Sequence, residues 1–276
     1  MYITYWNLKE EPFQNVADTR FAYLSDQHRE GLARLTYLAL NRKLGGVLTG
    51  AYGVGKSMVL RLLATQVHNE SKSRFVALDY VPGPVPLFAQ QILRQIGCRR
   101  VPETPPDPLE AIRLLNEEMP TLGHVVLAVD ESQMMTDPET YHFLHLLTNL
   151  TLTGRDGQPL SPAFTIILAG YVELDQLRKA DESLLQRLQL TWCLQPLNED
   201  QTIEYIQNRI RVAGGDLWIF DLDAMRTIFN ATHGLPRVIN NVADIALMLG
   251  SAARVRQITP DIVTQAVQDV AGAGFA

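Results

Sequence analysis

Gly45-Gly46-Val47-Leu48-Thr49-Gly50-Ala51-Tyr52-Gly53-Val54-Gly55-Lys56-Ser57 decides the fold. Gly45 to Thr49 is a short apolar run, the pattern of a buried strand. Gly50 to Ser57 fits G-x-x-x-x-G-K-[ST] in full. Ser57 then opens a helix to about His68, with Val59, Leu60, Leu62, Leu63 and Val67 turned inward. Glycines let backbone N–H groups face inward and ring phosphate oxygens. Lys56 adds a point charge for the β/γ-phosphates, and the Ser57 hydroxyl suits Mg²⁺. The helix start presents its positive end to the same anion. Gly50, Ala51, Tyr52, Gly53, Val54, Gly55, Lys56, Ser57 and Met58 are therefore the candidate nucleotide-binding residues, with ATP as the expected ligand. A chance glycine turn would not come with both flanking elements.

Outward from this loop the alternation repeats. Asp26 or Ser25 can cap a helix running to about Arg42. Downstream, Phe75–Val81, His124–Asp130 and Phe164–Ala169 read as strands. Leu87–Ile96, Leu109–Met119 and Pro138–Leu150 read as helices. Continuous apolar strands alternating with helices predict an α/β domain, a parallel sheet covered on both faces in three layers. After Pro196 only helical periods remain, at 199–213, 221–232, 236–253 and 259–270. The expected organisation is a nucleotide-binding domain over 1–196, carrying residues 1–24 as an extended arm, and an all-helical domain over 197–276. Thr151 to Pro162 reads as a long polar loop, facing either solvent or a partner.

The strand Val125-Val126-Leu127-Ala128-Val129 delivers Asp130-Glu131 to its carboxyl end, where open α/β sheets bind ligands. Asp130 fits the acid that holds the Mg²⁺ shell. Glu131 fits the base that polarises an attacking water. Alone, such a pair equally suits a helix cap; with the loop upstream the catalytic reading leads. Arg187 and Arg237 have the always-charged, two-oxygen fork that suits a γ-phosphate, and they equally suit surface ion pairs. His142 and His145 lie one helical turn apart with no third ligand in view, so no metal site is expected there.

Bulk numbers exclude several classes. The 276 residues carry 24 basic and 30 acidic side chains, net −6, without the basic surplus usual in proteins that ride on phosphate backbones. Cys98 and Cys193 fit no metal or redox spacing. No apolar run approaches the ~20 residues of a spanning helix, and Met1 to Trp6 is no signal peptide. A cytoplasmic protein is expected, peripheral to the inner membrane at most through a partner.

Gly50–Ser57, Asp130-Glu131, Arg187 and Gly234-Leu235-Pro236-Arg237 together resemble the AAA+ ATPase superfamily. Tyr5-Trp6-Asn7-Leu8-Lys9-Glu10-Glu11-Pro12-Phe13, Tyr23-Leu24-Ser25-Asp26-Gln27-His28, Asp130-Glu131-Ser132-Gln133 and Leu194-Gln195-Pro196-Leu197 narrow this to the ExeA/GspA type. Such ATPases serve type II secretion and MSHA-type pilus biogenesis. The resemblance implies a P-loop core with a helical lid, ATP and Mg²⁺ as ligands, and a homo-oligomer, ring or filament. It makes Lys56, Glu131 and Arg187 catalytic, Arg187 as a finger reaching a neighbour's site. It makes Ser57 and Asp130 metal ligands, and Arg237 the sensor 2 residue. Around Phe13, Tyr23 and His28, adenine contact and plain packing stand side by side. Where relatives carry Gly-Gln after the third strand, this chain has Gly170-Tyr171; Tyr171 either serves as sensor 1 or packs. Secretion-type relatives continue into a membrane helix and a peptidoglycan-binding region, an extension not expected of a chain that stops at Ala276.

Three functions compete at this point. The first is an ATP-driven switch or motor acting on a protein client of a secretion or pilus assembly. The second is a DNA-associated regulator of the TniB/TnsC/MuB kind, which the net charge does not favour. The third is a nucleotide-gated scaffold with little hydrolysis, opposed by intact Lys56, Asp130 and Glu131.

Overall fold

A computed structural model describes residues 2–154, 156, 158–171 and 174–272. The chain forms two compact units, one of residues 28–52 and 59–194, the other of 1–27, 53–58 and 195–276.

The first unit is a five-stranded parallel sheet, ordered β2 (Arg74–Asp79), β3 (Val125–Asp130), β6 (Phe164–Gly170), β1 (Gly45–Gly50), β7 (Leu190–Leu194). β3 and β6 are buried at every position, as strands covered on both faces must be. Around the sheet run α2 (Asp26–Leu40), α3 (Lys56–Glu70), α4 (Val85–Gln95), α5 (Pro108–Leu122), α6 (Pro138–Thr148), α7 (Leu174–Ala180) and α8 (Glu182–Arg187). Leu127, Phe143, Phe164, Ile92 and Leu115 are fully buried in one apolar core. At the amino edge His124 is buried between Ser73 Oγ (2.8 Å from Nδ1) and Thr165 Oγ1 (3.0 Å from Nε2). Thr165 donates its hydroxyl to the Lys43 carbonyl, so it accepts from Nε2–H, and Nδ1 accepts from Ser73. A neutral imidazole satisfies both partners, and desolvation lowers its pKa to about 4.

The segment expected as a polar loop is instead a small antiparallel hairpin. β4 (Thr151–Thr153) pairs β5 (Pro159–Pro162), with a register shift at Leu152/Thr153. Two β-branched threonines favour the extended backbone, and Gly154 N–H closes the turn on the Gln158 carbonyl at 2.8 Å. Of the quoted segment, Arg155 and Gly157 lie outside the described residues.

The second unit packs α9 (Glu199–Val212), α10 (Leu222–Thr232), α11 (Pro236–Ala252) and α12 (Pro260–Gly272). One parallel bridge, Phe220 to Ile258, joins its connections. The N-terminal segment, expected as an arm of the α/β domain, belongs to this unit's core. It begins with a short helix, α1 (Tyr2–Tyr5). Trp6 and Phe13 are buried with Tyr205, Phe220 and Leu247, and Trp6 Nε1–H donates to the Leu247 carbonyl at 2.9 Å. Buried Arg209 on α9 fastens the rest. It donates to the carbonyls of Pro12 (2.5 Å) and Gln14 (3.0 Å) and to the Tyr205 hydroxyl (2.7 Å). A peptide segment without its own ladder needs such donors when buried.

Candidate active site

β1 runs straight into the glycine loop, and the loop into α3, so the sequence motif has the strand–loop–helix setting it requires. Lys56 and Ser57 occupy the first turn of α3. Lys56 is 8% exposed, and Ser57 is exposed. Gly53 adopts φ +75°, and a Cβ there would sit 2.6 Å from the Arg237 Cβ. Only glycine meets both conditions without strain. Arg237, in the first turn of α11, donates its backbone N–H to the Gly53 carbonyl at 3.3 Å, while its side chain is exposed. The helical unit thus holds the sensor 2 candidate against the middle of the loop.

The acid pair ends β3. One strand, β6, separates β3 from β1, and Val129 and Thr49 both pair near its carboxyl end, against Leu168 and Gly170. With strand spacings of about 4.8 Å, the strand ends carrying Asp130 and the loop are about 10 Å apart on one edge. That gap suits a phosphate chain and its cation. Asp130 is buried and accepts the Glu131 N–H at 2.9 Å. Glu131 has left-handed backbone angles, φ 56° and ψ 31°, a conformation that costs a non-glycine residue about 1–3 kcal/mol. The twist turns the chain out of the strand line. Ser132 then donates its hydroxyl to the Val129 carbonyl at 2.7 Å, and the exposed Glu131 carboxylate meets the side-chain amide of Gln133.

Gln133, which in the sequence stands out only within the family-like run Asp130-Glu131-Ser132-Gln133, takes a place in the site. Its Nε2 donates to Glu131, and its Oε1 accepts the backbone N–H of Tyr171 at 3.0 Å. The signal was present as an amide two residues after the acid. A Cβ on Gly170 would collide with this amide and with the Ser132 nitrogen, so the close approach requires glycine. Tyr171 itself stacks on Tyr52 of the loop, centroids 6.3 Å apart and planes 17° apart.

The remaining candidates fall elsewhere. Arg187 ends α8 and donates from Nη1 to Thr148 Oγ1 (2.8 Å) and Asn149 Oδ1 (2.6 Å), both neutral acceptors in its own chain. Phe13 packs edge-on against Phe220 at 6.0 Å. Tyr23 donates to Glu204 at 2.6 Å and meets Tyr205 edge-on. His28 is buried. The Ser57 hydroxyl oxygen and the Asp130 carboxylate are hard donors of the kind Mg²⁺ takes.

A parallel sheet with this strand order, a glycine loop leaving β1 and an acid pair leaving β3 defines a P-loop nucleoside triphosphatase fold. Residues 40–177, half of the chain, match the family model for the AAA domain, and the protein belongs to that family. Its sequence is 29% identical to General secretion pathway protein A of Aeromonas hydrophila over 282 aligned residues, 99% of this chain and 49% of that one. The chain therefore spans about half the length of that curated relative. The expected kinship with ExeA/GspA-type AAA+ ATPases thus holds along the whole chain. Solved structures share the fold at low identity. Cdc6p of Pyrobaculum aerophilum gives a TM-score of 0.73 at 17% identity, over 92% of this chain and 71% of that one. ORC2 of Aeropyrum pernix gives 0.72 at 16%, over 93% and 72%. The RuvB branch migration motor of Thermotoga maritima gives 0.60 at 15%, over 92% and 74%. Among the described residues no helix is long and apolar enough to cross a membrane.

Proposed function

We propose that this protein binds and hydrolyses ATP and that the hydrolysis cycle drives a self-assembling switch acting on a protein client. The observation that carries the reading is the Glu131 carboxylate, exposed one residue beyond buried Asp130 and held by Gln133 on the sheet edge that feeds the glycine loop. Loop N–H groups and Lys56 hold the β- and γ-phosphates. Ser57 and Asp130 would hold Mg²⁺, which would supply positive charge to neutralise the phosphate oxygens. Glu131 orients water and takes its proton as the oxygen attacks the γ-phosphorus. The bond from that phosphorus to the β–γ bridging oxygen breaks, leaving ADP and phosphate. Arg237 answers the γ-phosphate from α11. Arg187 leaves Thr148 and Asn149 to complete a neighbouring subunit's site, in a ring or a filament.

Phosphate release from wild type, Lys56→Ala and Glu131→Gln tests hydrolysis; Glu131→Gln is expected to bind a fluorescent ATP analogue but to lose turnover at least a hundredfold. Equal turnover in wild type and Glu131→Gln would sink the catalytic assignment. Arg187→Ala is expected to abolish the rise of specific activity with protein concentration; an unchanged rise would remove the finger role. By kinship the client belongs to a secretion or pilus assembly. Two fold relatives, ORC of Drosophila and ORC1 of Aeropyrum pernix, are described in complex with DNA. A salt-dependent shift of duplex DNA with an ATP analogue would put DNA in the client's place.

A further inference from the structure

Helix α6 carries His142 and His145, and the residue capping α8 is Asp181. One ligand atom from each of these three side chains lies within 4.8 Å of the other two. His145 Nδ1 and Asp181 Oδ2 are 3.1 Å apart. Two ligands of one tetrahedral ion with bonds of about 2.0–2.1 Å stand roughly 3.3 Å apart. We propose that His142, His145 and Asp181 form a binding site for a divalent transition ion of the Zn²⁺ class, completed by water.

The chemistry of each group fits this use. Asp181 divides its two oxygens: Oδ1 caps α8 by accepting the Leu184 N–H at 2.8 Å, and Oδ2 faces His145. The cap therefore survives when Oδ2 takes an ion. Without an ion, His145 Nδ1–H donates to Asp181 Oδ2; when an ion takes the place of that proton, the imidazole proton sits on Nε2, 3.4 Å from Ser183 Oγ, which is placed to accept it. Such an outer partner is what orients a metal-bound imidazole. His142 is exposed, with its ring 6.1 Å from that of His145 and inclined by 78°. Two imidazoles and one carboxylate select Zn²⁺, Co²⁺ or Ni²⁺ over Mg²⁺.

The site's place gives it a consequence. α6 already holds the far end of α8, where Arg187 donates to Thr148 and Asn149. An ion on His142, His145 and Asp181 fastens the near end to the same helix. A bound ion thus restrains the element that carries Arg187. Ion binding itself does not rest on the ATPase reading and is measured without nucleotide.

The test uses the untagged full chain, free of nucleotide, titrated with Co²⁺ and followed by visible absorption. One Co²⁺ per chain is expected, with the strong bands of low-coordinate cobalt, displaced by Zn²⁺ but not by millimolar Mg²⁺. His142→Ala lies on an exposed position and leaves the fold alone. Asp181→Asn keeps an acceptor for Leu184 while removing the anionic ligand. Each is expected to weaken Co²⁺ at least tenfold. Equal affinity in wild type and His142→Ala, a pale six-coordinate spectrum, or displacement by Mg²⁺ would overturn the proposal.

Discussion

Replacing Gln133 with leucine removes both hydrogen bonds of the amide while keeping about the same volume. The Glu131 carboxylate is exposed, so water takes over the lost donor and the fold loses little. The effect belongs in turnover. Glu131 has two sp³–sp³ side-chain torsions with three staggered wells each, about nine arrangements in all. Gln133, itself anchored on the Tyr171 N–H, selects one of them. If that one is productive, freeing the side chain lowers kcat about tenfold, roughly 1.4 kcal/mol in activation free energy. Nucleotide affinity should stay within about twofold, since Gln133 works through Glu131. Steady-state phosphate release at saturating MgATP gives the first quantity, and titration with a fluorescent ATP analogue the second. The double variant with Glu131→Gln should be no slower than Glu131→Gln alone. A rise in kcat would refute the reasoning outright, because it would mean that Gln133 holds the carboxylate away from water. A further drop in the double variant would show that Gln133 acts elsewhere.

Three other outcomes follow from the geometry. His124 has a folded pKa near 4 against 6.5 for the free side chain, so the unfolded chain binds the extra proton between those values. Stability is full well above pH 6.5 and falls as pH drops toward 4; between pH 7.5 and 4.5 the loss is on the order of 2–3 kcal/mol, read from urea midpoints against His124→Gln, which should lack this share of the slope. Gly53→Ala forces a Cβ against Arg237 at φ +75°, at about 1–2 kcal/mol, and should weaken nucleotide binding and lower the melting temperature together; a wild-type titration would contradict this. Arg209→Met leaves the Pro12 and Gln14 carbonyls without their donor inside the helical unit, a loss of about 3 kcal/mol, with hydrogen exchange rising first over residues 12–21.

The parts legible in the sequence were those where one residue type has one use. The glycine loop admits few readings, and an apolar strand ending in Asp130-Glu131 directs an acid to a sheet edge. Apolar strands of unbroken hydrophobicity announced the parallel sheet. What escaped depends on partners distant in sequence. Arg209 reads as a surface arginine on α9 until the carbonyls of Pro12 and Gln14, nearly two hundred residues earlier, are brought to it. The same distance hid the packing of residues 2–27 with the C-terminal helices, because an irregular segment carries no period to say which core it joins. The β4–β5 hairpin was hidden by its polar, proline-flanked strands, which resemble a loop in composition. Asp181 is separated in sequence from His145 by 36 residues that include the β4–β5 hairpin and β6, which hides it from the histidine pair.

Tyr171 shows why a departure at one position need not disconnect the site. The resemblance implies Gly-Gln after the third strand, where this chain has Gly170-Tyr171, and leaves Tyr171 either serving as sensor 1 or packing. In the structure the strand end reaches the Glu131 carboxylate through backbone, not side chain: the Tyr171 N–H holds Gln133, and Gln133 holds Glu131. Any residue other than proline supplies that N–H. The side chain is then left for another neighbour, and it stacks on Tyr52 of the glycine loop. The end of β6 therefore meets Gln133, and through it Glu131, by its peptide, and the loop by its ring. The loop is thereby linked to the Glu131 carboxylate by three contacts: the Tyr52–Tyr171 stack, the Tyr171 N–H on Gln133, and the Gln133 amide on Glu131. Tyr171→Phe preserves both contacts and Tyr171→Ala only one, so turnover should separate the two variants while the hydroxyl itself contributes little.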